Sequence, residues 1–139
     1  MKYKLLIILV VVLHLNWGLT LFVFNLPYHT TGLSALIVLF GNSFFAGAFI
    51  LAACVLAVVG LYKEDNHNTV FFMLPQQFIL LVTSGAVLHA VVVSAFPDGV
   101  VRPRLFIWND QLHLILLSWF HTVAILEPKF RQFRQRRKV

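Results

Sequence analysis

Four long apolar stretches, Tyr3–Leu26, Leu33–Tyr62, Pro75–Phe96 and Leu105–Leu126, take up almost the whole of this 139-residue chain. A helix rises about 1.5 Å per residue, so each stretch has the roughly 20 residues that carry a chain across about 30 Å of hydrocarbon. Lipid offers no partner to backbone N–H and C=O groups, and a helix satisfies them within its own segment. A membrane barrel would need short strands of alternating polarity, whereas these runs are continuous. The expected fold is therefore all-α: an integral membrane bundle of four transmembrane helices over residues 1–127, with short loops, followed by a basic tail over 128–139. Hydrophobic residues make up 60% of the chain, charged ones only 12%, and the mean hydropathy is +0.86, which excludes a water-soluble domain.

Proline placement suggests the boundaries. Pro27 closes the first stretch, Pro75 suits the first turn of the third, Pro97 ends it, Pro103 opens the fourth and Pro128 stops it, all positions where a missing N–H costs little. Val70–Leu74 is apolar but precedes Pro75, and is expected to lie along the interface. The second stretch is overlong, so it must tilt or let one end emerge. Lys2 and Lys4 ahead of Leu5–Leu13 resemble the start of a signal peptide, yet no small-residue cleavage site follows, which points to a retained first helix.

Basic residues set the expected orientation. Lys2, Lys4 and Lys63 fall on the same side as Lys129, Arg131, Arg134, Arg136, Arg137 and Lys138, against Arg102 and Arg104 opposite, which places both termini in the cytoplasm. A bacterial inner membrane is the expected location. The basic tail, interleaved with Phe130 and Phe133, suits anionic lipid at the cytoplasmic face, and its charge accounts for orientation without invoking nucleic acid.

Chemistry at this stage rests on ionisable groups inside the spans. Cys54 is the sole cysteine, which excludes an intrachain disulfide or thiol relay, and no glycine-rich phosphate loop, nucleophile elbow or metalloprotease helix occurs. In the fourth stretch Asp110, His113 and His121 project within roughly 80° of one another at 100° per residue. Counting inward from the exterior ends puts Asp110 and His89 about 10 Å deep, Asn42, Asn16 and His113 about 15 Å and His14 about 18 Å, a polar layer drawn from all four helices. His121 with Gln76 and Gln77 forms a sparser inner layer. Such layers suggest a channel-like or pore-like polar path for protons, small ions or solutes, with Asp110 and His113 as its outer site and His121 as its inner one.

Two further readings are open. His89 and His113, on consecutive antiparallel helices at similar depth, could hold b-type haem or border a quinone site in an electron-transfer subunit. The polar groups could instead only fix packing, in a non-conducting adaptor subunit. No metal site and no enzymatic activity are expected, since Asp110 with His113 lacks a companion nucleophile. Small residues on the second stretch, Gly41, Ala48 and Ala52 on one stripe and Ala53, Ala57 and Gly60 on another, suit close helix packing, within the chain or in a homo-oligomer or larger membrane complex.

Overall fold

The computed structural model describes residues 3–23, 31–63, 69–95 and 112–137. All the elements they form are helices: α1 (Lys4–Phe22), α2 (Thr31–Phe40), α3 (Ser43–Tyr62), α4 (Thr69–Ala95) and α5 (Leu112–Arg137). Three of them are long and apolar enough to cross a membrane, over Lys4–Phe22, Ser43–Tyr62 and Val70–Ala90. The fourth expected span begins at Leu105, and its first part lies outside the described residues, as do Lys2, Pro27, His67, Pro97, Arg102, Pro103, Arg104, Asp110 and Lys138.

Neither α1 nor α3 carries a charged residue past its first position, and each exposes aliphatic and aromatic groups along one face. Leu5, Leu9, Val12, Phe45, Val55 and Val58 are more than half exposed, an outer surface suited to lipid. Inside, α1, α3, α4 and α5 close into a ring in that order, with α1 also touching α5, while α2 packs on α4 and α3. Neighbouring long helices in the ring run antiparallel. Gly18 faces Leu51 and Gly47 faces Phe22 across α1 and α3, and Gln77 faces Ser118, His121 and Thr122 across α4 and α5.

The second apolar stretch is two helices rather than one tilted span. Gly41 takes φ +84°, a left-handed conformation that ends α2, and Asn42 is extended and caps α3, its Oδ1 accepting from Phe45 N–H at 2.9 Å. At about 15 Å, the ten-residue α2 is too short to cross a bilayer. Its Leu33 and Leu36 are buried in the apolar core with Trp17, Leu21, Ala46, Ile50 and Ile79.

Two prolines expected at helix ends sit inside helices. Val70–Leu74 belongs to the first turns of α4, upstream of Pro75, and does not lie apart at an interface. Met73 is fully buried against Ile7, Ala124 and Ile125, and Lys63 lies over the Phe72 ring at 5.6 Å, so tertiary packing holds this turn helical despite the N–H that Pro75 cannot offer. Pro128 likewise fails to stop α5, which continues to Arg137 and carries most of the basic tail as helix. The helix has no break at residue 128.

Closure of α1 on α3 depends on two glycines. A Cβ on Gly47 would stand 2.5 Å from the Phe22 backbone nitrogen, and one on Gly18 would stand 2.8 Å from a Leu51 methyl. The first clash is with backbone and cannot be relieved by a rotamer change. Ala53, Ala57 and Gly60 are buried along the same helix, whereas Ala48 is half-buried and Ala52 and Gly41 are exposed, so one of the two small-residue stripes packs within the chain and the other faces outward. Gly47→Ala should force α1 and α3 apart and cost about 1–3 kcal/mol. It should lower the thermal midpoint in detergent by several degrees, while Gly85→Ala, with nothing within 4 Å of the added methyl, should leave it unchanged.

Candidate functional site

Buried polar side chains gather at one level of the ring. On α1, His14 lies between Ile7 of a lower apolar cluster and Trp17 of an upper one. On α4, Gln76 and Gln77 lie between Met73 below and Ile79 above, and on α5, Ser118 and His121 lie between Ala124 and Ile125 below and Ile115 above. Three helices thus place their polar groups in the same gap between two greasy layers. His14, Gln76 and His121 have no solvent exposure, and Gln77 and Ser118 have less than a tenth.

The hydrogen bonds fix the chemistry of this stratum. Thr122 Oγ1 donates its proton to the Ser118 carbonyl at 2.8 Å, so its oxygen is left to accept, and it accepts from Gln77 Nε2 at 2.7 Å. That orients the Gln77 amide: Nε2 also reaches Ser118 Oγ at 3.5 Å, and Oε1 points at His121 Nδ1, 2.7 Å away. An amide oxygen only accepts, so Nδ1 carries the hydrogen and, in the neutral ring, Nε2 carries the lone pair. Thr122 therefore selects the His121 tautomer through one intervening side chain.

Hydrogen-bonding capacity remains. His121 Nε2, both ring nitrogens of His14 and both ends of the Gln76 carboxamide are buried without a hydrogen-bond partner among the described residues. His14 packs against Trp17, ring centroids 5.4 Å apart. A buried polar group without a partner costs roughly 1–3 kcal/mol. Five such atoms on three helices mark this stratum as the place where a polar guest, water or an exchanging proton is best received.

The other residues singled out from the sequence fall elsewhere. His89 and His113 are exposed on the outer surface of the described bundle. Asn16 is exposed too, and its carbonyl accepts from Thr20 Oγ1 at 2.8 Å. Asn42 is a surface helix cap with no part in a polar layer. His14, placed in the outer layer by counting residues, stands instead at the level of His121. The structure brings together His14 and His121 from that set. Ser118 and Thr122, which hold the Gln77 amide that bonds His121, were not singled out, although Ser118, His121 and Thr122 at spacings of three and four share one helix face and pointed to it. Cys54 is buried, its thiol donating to the Val11 carbonyl at 3.7 Å, an α3–α1 contact away from this stratum. Among the described residues no group of three or more His, Cys, Asp or Glu side chains could hold a metal ion.

On α5, Lys129, Arg131, Arg134, Arg136 and Arg137 are all exposed along the last turns. Arg131 donates through Nε and Nη2 to Glu127 Oε1, and Arg137 lies over the Phe133 ring at 4.8 Å.

The two glutamines make opposite predictions. Gln77→Met removes the only described partner of His121 Nδ1 and should cost about 1–2 kcal/mol, read as a lower unfolding midpoint in detergent. Gln76→Met, which removes a carboxamide lacking any described partner, should be neutral or stabilising. Equal loss in both variants would show that Gln77 does not hold the seam.

Comparison with protein-family models, with curated protein sequences and with solved structures gives no match.

Proposed function

We propose that this chain is a small polytopic membrane protein that relays protons through the polar stratum between α1, α4 and α5. In this reading α5, together with the preceding apolar residues from Leu105, makes the fourth crossing, and both termini face the cytoplasm of a bacterial cell. The observation that carries it is the pair of buried imidazoles, one with its tautomer set by Gln77, which leave three ring nitrogens without a hydrogen-bond partner among the described residues.

Protons are favoured over larger permeants by the packing. The imidazoles and Gln76 are fully enclosed and apolar clusters stand above and below them, so no wide lumen runs through the described residues of a single protomer. A hydrated ion needs such a lumen. A proton does not: imidazole accepts at one nitrogen and releases at the other, and bridging water serves as the link. Ser118, one turn beyond His121, extends the buried polar groups toward one face, and Glu127 follows His121 on α5 toward the other. Asp110 stands beyond His113 in sequence as the outer acid. The exposed Gly41 and Ala52 and the half-buried Ala48 supply an outward small-residue stripe for self-association.

Reconstituted proteoliposomes carrying a pH-sensitive dye test the assignment. Proton flux above that of empty vesicles is expected, with His14→Phe and His121→Phe each lowering it at least about tenfold and His89→Phe leaving it within about twofold. His121→Asn, which keeps a hydrogen bond to Gln77, separates lost relay from lost folding: its midpoint should stay near wild type while its flux falls. Absence of flux would overturn the proposal, and a Soret band in the purified protein that disappears with either buried histidine would assign the stratum to a haem instead.

A further inference from the structure

A cleft of about 360 Å³ opens where the start of α1 meets the second half of α5, lined by Tyr3, Val123, Glu127, Phe130, Arg131 and Arg134. Its α5 residues recur at spacings of three and four, so they form one stripe of the helix, and its contents are graded. Val123, Phe130 and Tyr3 bring apolar surface to its lining, and Arg131 and Arg134 bring two guanidiniums. Glu127 neutralises and orients Arg131 by accepting from both Nε and Nη2, which leaves the far edge of that guanidinium directed away from the carboxylate. Arg134, one turn on, forms no ion pair or hydrogen bond among the described residues. The cleft therefore carries one net positive charge and planar donors, the geometry that suits phosphate oxygens.

The same stripe continues away from the basic end as exposed apolar surface. Val123 is 50% exposed, Trp119 71% and Leu116 50%, spaced three and four residues apart on the side of α5 that leads out of the cleft. An acyl chain laid along this stripe would bring its headgroup to Arg131 and Arg134. A soluble phosphate compound would use the guanidiniums and leave the stripe bare.

We infer that this cleft is a binding site for a single anionic phospholipid, its phosphodiester held by Arg131 and Arg134 and one acyl chain running along Val123, Trp119 and Leu116. The inference rests on the membrane reading but not on proton relay. It differs from diffuse attraction between a basic helix end and an anionic leaflet, which depends on total charge and not on position.

Native mass spectrometry of the full-length protein released from nanodiscs tests it, with phosphatidylcholine alone or mixed with phosphatidylglycerol as the lipid. One retained phosphatidylglycerol per protomer is expected in preference to phosphatidylcholine. Arg134→Gln should reduce that adduct about five- to tenfold, while Arg136→Gln, an equal loss of charge outside the cleft, should leave it unchanged. Val123→Asp, which puts a carboxylate on the acyl path at a half-exposed position, should also reduce it. Equal reduction by Arg134→Gln and Arg136→Gln would overturn the site in favour of diffuse attraction. Displacement of the adduct by millimolar inorganic phosphate would assign the guanidiniums to a soluble phosphate ligand, and failure to enter nanodiscs would overturn the membrane reading together with the site. Proton flux is a separate readout, so loss of the lipid adduct with flux intact counts against this cleft alone.

Discussion

In hydrocarbon, a side-chain amide has to find its partners inside the protein, and Gln77 commits both of its ends to α5: Nε2 to Thr122 and Oε1 to His121. Apolar contacts tolerate sliding of one helix past another, because one methyl group is much like the next. The amide does not, since a shift of one turn would leave three polar groups without partners at once. The register of α4 against α5 is thus set by this short network, and the apolar layers on either side follow from it. Met73 meets Ala124 and Ile125 below, and Ile79 shares the upper core with Ile115.

His14 reaches the same level because α1 is drawn in by α3. The two glycines at that seam remove the side-chain thickness that would otherwise hold the helices apart, with Gly47 against the Phe22 backbone and Gly18 against Leu51. Lipid supplies no hydrophobic force between helices, so this close packing, aided by the Cys54 thiol on the Val11 carbonyl, brings α1 into the ring and against α5. The imidazole pair is consequently a product of two different seams. One is specified by hydrogen bonds and the other by the absence of side chains.

Apolar length and continuity made the helical class and the membrane-compatible spans legible in the sequence. Helix ends were less so, because proline and glycine were read for where they commonly occur and not for what their neighbours could supply. Pro75 and Pro128 each remove one backbone donor, and burial of Met73 beside the first and of Ala124 and Ile125 beside the second keeps the helix through them. The Gly41-Asn42-Ser43 run was a readable stop and start, a left-handed residue followed by a cap, but hydropathy alone ran straight across it. For the same reason Asn42 entered a polar layer to which it does not belong. Depth counting also misplaced His14, since it began from assumed span ends, whereas the level of the stratum is set by contacts between helices, Gln77 on α4 with Ser118, His121 and Thr122 on α5.

The continuity of α5 through Pro128 ties the basic end of the chain to the buried stratum. Arg131 stands ten residues beyond His121 on one unbroken helix, about 15 Å along its axis, and Lys4 stands ten residues before His14 on α1, the same distance. In the proposed orientation, with those cations at headgroup level, both imidazoles would lie about half the hydrocarbon thickness inward, close to the midplane. That is where water is scarcest and where an unpartnered ring nitrogen is most costly to keep. In that orientation two antiparallel helices, each with a cation and a histidine at matched separation, would put the stratum at the depth where packing alone gives no reason to retain it, and this is the physical ground for proposing an exchanging proton there.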